Sequence, residues 1–387
     1  MKILITNGHL NVGGVEKSLV NLLNGIDYSR YEVDLLLFEG TGDYFNEIPK
    51  DVNVITHDFT KTYGSFISVI LNSLKEMDFK TIYFKIVLTL RNKLGINGEI
   101  LLKLLNIFIK TKSKYDIAIA YRVGIPTEYV SYATKADKKF VWWHHGEFDY
   151  SDSLVKTWNR AFRNIDEMIC VSEYTKEMVK PYFLNIKKNV IPNMIDPMMI
   201  INQSNSMNPY ENVDLIKIVS VGRFSAEKHM IDAIYAMNEL IKKGYTNLIW
   251  YLIGDGSEKN KIINKIKEFN LEEKIICVGA VANPYPYIKY ADIFVHLSHV
   301  ESQGITILEA LALNKKSVIV GSFGAKEFIV NEKNALLAEL EINDLVNKIE
   351  KLILEPNKFD FISYQNETVK RFTSENIIKV FYDVINI

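Results

Sequence analysis

Short apolar runs rich in β-branched residues alternate with amphipathic helical patterns along almost the whole chain, and this alternation restricts the fold more than any other feature. Ile3–Thr6 is predicted as a strand, and apolar residues then recur at helical spacing at Val15, Leu19, Leu22, Leu23 and Ile26. Further strands are predicted at Val33–Phe38, Val52–Ile55, Asp116–Ala120, Phe140–Trp143 and Met168–Val171. Such a pattern is typical of a parallel sheet with helices on both faces.

A polar stretch at residues 202–214, which contains Pro209 and has no periodicity, divides the pattern into two halves. Beyond it, strands are predicted at Ile216–Val221, Leu248–Ile253, Ile275–Val278, Ile293–Leu297 and Ser317–Val320. A chain of 387 residues is long enough for two domains with separate cores. We therefore predict a domain over 1–201, a linker over 202–214, a second domain over 215–371 and a final helical segment over 372–387.

The composition excludes several classes of protein. With 46 basic and 47 acidic residues, net charge gives no reason to expect a nucleic acid as partner. Cys170 and Cys277 have no metal-type spacing and form no disulfide framework, which fits a reducing compartment. The first residues do not resemble a signal peptide, and no apolar run reaches the length of a membrane span. We expect a cytoplasmic protein, soluble or peripheral on the inner face of the cell membrane.

The segment from Lys61 to Lys114 differs from the rest of the chain. Its ten basic and three acidic side chains give a net charge of +7, and apolar residues are interleaved with them. Basic amphipathic helices can lie on anionic membrane surfaces. The alternative is a helical insertion that packs on its own domain and leaves its lysines in solvent. An anionic membrane surface is therefore an expected partner, with a packed insertion as the rival interpretation.

The densest cluster of candidate site residues runs from Glu301 to Glu309. Gly304 lies at a predicted strand-to-helix turn, where glycine permits close backbone approach and the exposed N-terminus of the helix, at Ile305, favours phosphate. Carboxylates on either side suit hydroxyl-rich ligands, because an ionised carboxylate accepts several hydrogen bonds. Ser298 with Glu301, and Thr306 with Glu309, also fit the spacing of helix capping boxes, so each glutamate has a purely structural alternative.

Three further features lie at the ends of predicted strands. Arg223 and Lys228 follow one strand, and their cationic groups suit phosphate oxygens, although two solvated surface cations are the alternative. Gly254 follows the next strand, either in a tight turn or in a loop that contacts a ligand. Gly13 and Gly14 lack the spacing of the dinucleotide fingerprint, so they form a plain turn or let the backbone approach a phosphate or an acceptor.

These motifs together resemble the retaining glycosyltransferases of family 4. The residues that carry the resemblance are Gly13-Gly-Val-Glu16, Ile191-Pro-Asn193, Val221-Gly-Arg-Phe224, Lys228, Ile253-Gly-Asp-Gly256, Ala291-Asp-Ile-Phe294, Glu301 and Glu309. The match is continuous over 216–338 and patchier in the first half. It implies an α/β protein of the GT-B type, in which two Rossmann-like doubly wound domains face each other across a cleft and the last helix returns to the first domain.

The resemblance also implies roles for individual residues. Arg223 and Lys228 would hold the donor diphosphate, with backbone contacts from Gly14 and Gly254. Glu301, with the backbone of Gln303, Gly304 and Ile305, would hold the transferred sugar, and Glu309 the ribose. His144 follows a strand in the first half and would lie beside donor sugar and acceptor, with His145 as its rival and Gly13 nearby. The chain departs from the family at Gln303, where Phe is common, and at Met194, Lys315 and Ala335, where Gly is usual.

The expected function is retaining transfer of a sugar from a nucleotide-sugar, with UDP as the expected nucleotide, to a glycan or lipid-linked acceptor in bacterial surface polysaccharide synthesis. Glu301, Arg223, Lys228 and His144 are the candidate catalytic residues. We expect neither a cofactor nor a metal, because no acidic metal motif is present and the two cations replace a divalent ion. The alternatives are another sugar enzyme of this fold, such as a phosphorylase or epimerase, and a non-catalytic subunit that binds a nucleotide-sugar.

Overall fold

The structure is a computed structural model, and it describes residues 1–11, 13–40, 42–56, 60–62, 65–94, 113–211 and 213–386. The chain divides into two compact units. The first contains Met1–Ile191 and Ile378–Ile387, and the second contains Pro192–Ile377. Each unit is an α/β domain with its own parallel sheet, which confirms the predicted fold class.

The first unit is built on a seven-stranded parallel sheet with the order β3-β2-β1-β4-β5-β6-β7. Its strands are β1 (Lys2–Asn7), β2 (Glu32–Leu37), β3 (Asn53–Thr56), β4 (Tyr115–Ala120), β5 (Ala136–Trp143), β6 (Glu167–Cys170) and β7 (Lys187–Val190). The central strands are continuous apolar runs because helices cover both faces of a parallel sheet, and five consecutive residues of β1 are buried.

The helices of this unit are α1 (Gly14–Gly25), α2 (Phe66–Lys75), α3 (Phe79–Leu94), α4 (Ile125–Tyr132), α5 (Asp152–Phe162) and α6 (Glu173–Val179). Their starts follow ordinary capping rules: the Ser151 hydroxyl accepts from the Leu154 N–H before α5, and Ser172 forms a capping box with Thr175 before α6. Short 3₁₀ turns occupy Phe45–Glu47 and Thr60–Thr62.

The second unit has a six-stranded parallel sheet with the order β10-β9-β8-β11-β12-β13. The strands are β8 (Ile216–Val221), β9 (Leu248–Ile253), β10 (Ile275–Gly279), β11 (Ile293–His296), β12 (Ser317–Val320) and β13 (Leu336–Ala338). The helices are α7 (Pro197–Ser204), α8 (Asp232–Lys242), α9 (Lys259–Glu268), α10 (Tyr285–Tyr290), α11 (Ile305–Ala312), α12 (Phe323–Lys326), α13 (Ile342–Leu354) and α14 (Ile362–Arg371). The last helix, α15 (Ser374–Ile385), begins in this unit, but its residues from Ile378 onward belong to the first unit. A 3₁₀ turn spans Ala226–Lys228.

The boundary between the units differs from the predicted one. It falls between Ile191 and Pro192, so the predicted boundary after residue 201 and the predicted linker over 202–214 both lie inside the second unit. Tyr210 explains the difference, because its ring is 97% buried in the core of that unit and its hydroxyl donates to the Tyr287 carbonyl at 3.0 Å. A polar stretch with one buried aromatic side chain therefore packs as part of a domain.

The C-terminal residues Ile378–Ile387 belong to the first unit. The ring of Tyr382 stacks on Tyr31 with centroids 5.0 Å apart, and Phe381 is fully buried against Trp142. The Tyr382 hydroxyl also accepts the Asp27 N–H at 2.7 Å. An aromatic cluster and a backbone contact thus attach the last helix to the sheet that begins the chain.

The basic segment at Lys61 to Lys114 has features of a packed insertion and also features of a helix that contacts a membrane. Phe84 and Val87 of α3 are buried in the core of the first unit, as expected for a packed insertion. In contrast, α2 exposes four large apolar side chains, at Phe66, Ile67, Leu71 and Leu74. Residues 95–112 lie outside the described residues, and with them Lys103, Lys110 and Lys112. None of the helices in the described ranges combines the length and apolarity that a membrane crossing requires.

Candidate active site

The candidate donor residues lie where the strands of the second sheet end. Arg223 and Lys228 follow β8, Gly254 follows β9, and Glu301 follows β11. Strand order reverses between β8 and β11, and in open α/β sheets ligands bind beyond the carboxyl ends of the strands at such a point. The fold thus brings together at one edge residues that are up to 78 positions apart in sequence (Arg223 and Glu301).

Glu301 is held by two groups that favour its charged form. Its Oε1 accepts a hydrogen bond from Lys228 Nζ at 2.6 Å and lies 2.9 Å from His296 Nε2. Burial opposes ionisation of this carboxyl, but the charge of Lys228 and the contact with His296 outweigh it and lower the pKa of Glu301 to about 2. Both contacts use Oε1, so this ion pair leaves Oε2 as an acceptor for a ligand hydroxyl.

The turn after Glu301 is a glycine-led strand-to-helix turn, as the sequence predicted. Gly304 precedes α11 and has φ +95°, a conformation that favours glycine. The helix begins at Ile305, so neither Ser298 nor Thr306 occupies an N-cap position. The two capping-box alternatives are therefore not formed: the Ser298 hydroxyl donates to backbone carbonyls of residues 227 and 300.

Glu309 lies on the buried side of α11 rather than at a helix end. It is 98% buried, and the Tyr285 hydroxyl donates to its Oε1 at 3.0 Å. A buried carboxylate on a rigid helix is suited to accept hydroxyl donors from a ligand, since an ionised carboxylate offers about four lone-pair sites.

Close backbone contacts explain two of the glycines at this edge. A Cβ on Gly254, where φ is +147°, would lie 1.9 Å from the Gly222 carbonyl oxygen. A Cβ on Gly324 would lie 2.5 Å from the Glu301 carbonyl oxygen. A side chain is therefore excluded at Gly254, where the loop after β9 meets the loop after β8. It is also excluded at Gly324, which meets the loop after β11. Arg223 is exposed on this edge, in contrast to the part-buried Lys228.

Two residues that depart from the family pattern form hydrogen bonds inside the second unit. The side-chain amide of Gln303 pairs with the backbone of Asn193, accepting its N–H at 2.7 Å and donating to its carbonyl at 3.1 Å. Lys315 Nζ donates to the Lys289 and Ala291 carbonyls at 2.6 and 2.5 Å, and burial lowers the pKa of Lys315 to about 8. Met194 and Ala335 are both buried apolar residues.

The candidate residues of the first unit follow β5. His144 packs against the aromatic rings of Tyr121 and Trp142, with ring centroids 4.8 and 5.9 Å away. Burial, with smaller contributions from His145 and Arg122, lowers the pKa of His144 to about 3. Burial also lowers the pKa of His145 to about 4. Both rings are neutral near pH 7, and His144 Nε2 is buried without a hydrogen-bond partner among the described residues.

A part-buried ion pair near Gly13 and Gly14 was not predicted from the sequence. Arg122 follows β4 and donates to Glu16 Oε1 at 3.0 Å, while a second contact joins it to His9 Nε2 at 3.2 Å. Gly13 makes room for this pair, since a Cβ there would lie 2.3 Å from Glu16 Oε2. Gly14 is the first residue of α1. The sequence offered only Glu16 within the glycine motif as a signal, because Arg122 is more than a hundred residues away.

A second cluster that the sequence did not indicate consists of His229, Asp232 and His299. His299 Nε2 lies 3.0 Å from Asp232 Oδ2, and His229 Nδ1 lies 3.5 Å from the same oxygen. The two imidazole rings are stacked with centroids 3.4 Å apart. The spacing of His229 and Asp232 is that of one helical turn, but only the fold brings His299 to them.

Comparison with known families agrees with this arrangement. Residues 203–369 match the family described as Glycosyl transferases group 1, and residues 12–198 match Glycosyltransferase Family 4. The two matches together include most of both units. The chain therefore belongs to the group 1, family 4 glycosyltransferases of the GT-B fold, as its motifs predicted.

Individual relatives are distant. An α-1,4-N-acetyl-D-galactosaminyltransferase of Campylobacter jejuni that acts on an undecaprenol-diphosphate-linked glycan is 22% identical over 97% of this chain and 96% of its own length. The poly(ribitol-phosphate) α-N-acetylglucosaminyltransferase of Staphylococcus aureus is 26% identical over 63% of this chain and 49% of its own. For four of the relatives that it matches, the chain spans only about half of their length, 45–49%.

Solved structures show the same fold. The Anabaena protein HepE, in a complex with UDP-glucose, has a TM-score of 0.72 and 18% identity, with coverage of 100% of this chain and 99% of that one. A Staphylococcus aureus TarM structure has a TM-score of 0.71 and 16% identity over 100% and 99% of the two chains. At these identities the likeness concerns the fold alone.

Proposed function

We propose that the protein is a retaining glycosyltransferase that moves a sugar from a UDP-sugar to a glycan or lipid-linked acceptor of a bacterial surface polysaccharide. The observation that carries the proposal is the edge of the second sheet, where the Lys228–Glu301 pair, Arg223 and the glycine-led start of α11 lie together. Cations and a helix N-terminus suit a diphosphate, and the carboxylates of Glu301 and Glu309 suit sugar hydroxyls.

In the proposed reaction the bond between the anomeric carbon and the donor phosphate oxygen breaks, and a bond from the same carbon to the acceptor oxygen forms on the same face. The acceptor proton passes to the leaving phosphate oxygen, so no protein base is required. Arg223 and Lys228 stabilise the charge that develops on the diphosphate, and they do so in place of a divalent ion. Glu301 Oε2 accepts a hydroxyl of the transferred sugar, and Glu309 accepts the ribose hydroxyls.

The identity of the nucleotide is supported by relatives rather than by the geometry. HepE has been crystallised with UDP-glucose. The Staphylococcus relative transfers N-acetylglucosamine to poly(ribitol-phosphate), and the Campylobacter relative transfers N-acetylgalactosamine to an undecaprenol-diphosphate-linked glycan. The basis for extending UDP to this chain is shared membership of the family. The proposal therefore specifies the nucleotide and the acceptor class, and leaves the sugar to experiment.

A thermal-shift screen against UDP-, GDP-, ADP- and dTDP-sugars tests the donor, because a ligand that binds the folded state raises the melting temperature. We expect a shift with UDP-sugars only, followed by UDP release when acceptor is added. NMR of the product would show the anomeric configuration of the donor retained. Release of UDP without transfer would favour hydrolysis or epimerisation, and binding without turnover would favour a non-catalytic subunit.

We further propose that the first unit contacts an anionic membrane surface through α2. The exposed fractions of Phe66, Ile67, Leu71 and Leu74 are 45–70%, and Lys75 and Lys80 lie close to them in sequence. Apolar side chains flanked by lysines are what an interfacial helix presents to anionic lipid. Lys61 and Lys85 contribute less than their charge suggests, because Lys61 is paired with Glu76 and Lys85 Nζ donates to the Thr62 carbonyl.

Sedimentation with vesicles tests this contact. We expect the full chain to bind anionic vesicles, to ignore neutral ones and to be released by salt, since such attraction is screened within about 10 Å at 0.1 M. Replacing the four apolar residues of α2 by Ser should abolish binding. Leu354→Ser with Ile362→Ser is the matched control, because both residues are exposed and apolar in the second unit. Equal sedimentation of both variants would refute the proposal.

A further inference from the structure

His229, Asp232 and His299 bring three potential metal ligands to one place. Their ligand atoms, two imidazole nitrogens and one carboxylate oxygen, all lie within 4.8 Å of one another. The separations between Asp232 Oδ2 and the two nitrogens are 3.0 and 3.5 Å. Ligands bound to one ion at 2.0–2.1 Å in tetrahedral geometry are roughly 3.3 Å apart. The distances from the Asp232 oxygen to the two histidine nitrogens are therefore close to those expected when all three atoms bind a single ion.

The backbone around the cluster is held in place by its own contacts. His229 has φ +46°, the left-handed conformation that is costly for a residue with a Cβ. Its N–H donates to the Ala226 carbonyl at 3.2 Å, and its carbonyl accepts the Asp232 N–H at 2.9 Å. The Ser298 hydroxyl joins the loop of His299 to the other segment by donating to the Glu227 carbonyl at 3.2 Å. Two segments 67 residues apart are thus fixed side by side.

We propose that His229, Asp232 and His299 form a binding site for one divalent transition metal ion of the zinc class. Two imidazoles and a carboxylate suit Zn²⁺, Co²⁺, Ni²⁺ or Fe²⁺, whereas Mg²⁺ and Ca²⁺ prefer oxygen ligands throughout. The three side chains are 14–37% exposed, so an ion can enter from solvent and complete its coordination with water.

Binding requires one small rearrangement. The two imidazole planes are 11° apart and stacked, so their lone pairs run nearly parallel rather than meeting at a point. Rotation of the more exposed His229 ring about its terminal torsion brings the lone pairs together, and such torsions are broad for histidine. A bound ion would then replace the hydrogen bonds to Asp232 with metal–ligand bonds and join the start of α8 to the loop after β11.

The inference is independent of the proposed sugar transfer, because its test uses no sugar. The untagged, metal-free full chain is titrated with Co²⁺, whose visible absorption reports nitrogen and oxygen ligation, and with Zn²⁺ in competition with a chromophoric chelator. We expect one ion per chain, no competition from Mg²⁺, and a melting temperature raised by at least about 2 °C.

Asp232→Asn and His299→Gln should each weaken Zn²⁺ binding by at least about tenfold. Asp232→Asn keeps the shape of the side chain and its ability to accept a hydrogen bond. It therefore still tests metal binding if His299→Gln disturbs folding. His9→Gln is the matched control, because it removes an imidazole from the first unit. Absence of a stoichiometric ion, or equal loss of binding in the control, would overturn the proposal and leave the cluster as a set of structural hydrogen bonds.

Discussion

The candidate residues at the carboxyl edges of the two sheets differ in charge. In the second unit, Lys228, Glu301 and Arg223 carry charge. In the first unit, His144 and His145 are neutral near pH 7 because burial lowers their pKa values to about 3 and about 4. The first edge also carries the Arg122–Glu16 ion pair, whose opposite charges cancel. Charged side chains suit a diphosphate, whereas neutral imidazoles suit hydroxyl groups.

The difference arises from the neighbours of each group rather than from burial alone. Glu301 and His144 are both about 91% buried, so both lose hydration. Glu301 has the opposite charge of Lys228 beside it, and its charged form survives. Burial disfavours the charged form of His144, and the neighbouring His145 and Arg122 lower its pKa further. Whether a buried group is charged or neutral therefore depends on the charges of the groups in direct contact with it.

The largest expected effect is on the charged edge. Lys228→Ala and Arg223→Ala should each reduce turnover by 100- to 1000-fold, equivalent to about 2.7–4 kcal/mol, because each removes a cation from the developing diphosphate charge. Steady-state UDP release measures the effect. Lys261→Ala is the control, since this exposed lysine of α9 forms an ion pair with Glu258, the residue that precedes the same helix.

The two variants should differ in stability. Arg223 is exposed, so its loss should leave the melting temperature unchanged. Loss of Lys228 leaves buried Glu301 with His296 alone, so the melting temperature should fall. Near-normal turnover in both variants would remove the diphosphate assignment and, with it, the contrast between the edges.

A smaller effect is expected for the two neutral histidines of the first unit. His144→Asn should lower turnover by about 3- to 10-fold, because one neutral hydrogen bond contributes about 0.5–1.5 kcal/mol. His145→Asn is the matched comparison, as its ring is adjacent and also neutral. A larger loss with His145→Asn than with His144→Asn would transfer the proposed acceptor-side role to His145.

Acid should weaken the two edges in different pH windows. The pKa of His144 falls from 6.5 to about 3 on folding, so the unfolded state binds more protons between these values and stability declines as pH falls through that window. The pKa of Glu301 falls from 4.5 to about 2, so its contribution is complete above pH 4.5 and is lost only below it.

Denaturant unfolding from pH 7 to pH 4 distinguishes these windows. We expect wild-type stability to decline by at most about 1.4 kcal/mol per pH unit from this histidine, and His144→Asn to flatten the decline. Glu301→Gln should leave the slope above pH 4.5 unchanged. An unaltered slope in His144→Asn would show that this histidine is not the buried neutral base described here.

The smallest expected effect is that of a chelator. Turnover should persist in excess EDTA, since Arg223, Lys228 and the start of α11 are proposed to stabilise the diphosphate without a divalent ion. Loss of turnover that magnesium or manganese restores would contradict this mechanism. The proposed ion at His229, Asp232 and His299 would appear in the same experiment as a change in melting temperature with no change in turnover.

Much of the fold could be predicted from sequence because its strands are apolar and β-branched. β1 and β8 are examples, because their central apolar residues, Ile3–Ile5 and Ile218–Val219, are completely buried. Two edge strands were missed, since Lys187–Val190 is largely polar and Leu336–Ala338 has only three residues. The two compact units divide at Ile191/Pro192 rather than at the predicted residue 201, since a polar composition does not reveal the burial of Tyr210.

For the candidate site, too, local sequence motifs could be predicted and long-range contacts could not. Glu301, Lys228 and Gly304 lie in motifs at strand ends, so local sequence sufficed to select them. Pairings across long separations were not accessible, among them Arg122 with Glu16 and His299 with Asp232. Such contacts depend on which strands are adjacent in the sheet, and the strand order cannot be read directly from a single sequence.

The contact of Gly324 with the Glu301 loop has a consequence for altering sugar preference. Any side chain at position 324 would meet the Glu301 carbonyl at 2.5 Å and the Ser302 carbonyl carbon at 2.6 Å. The close contact with residue 324 therefore restricts the backbone conformation of residues 301–304. Variant libraries that change only those four residues keep this restriction. New loop conformations become reachable when residues 322–326 are randomised together with that loop, and a substitution at 324 alone should be rejected in any selection for folded protein.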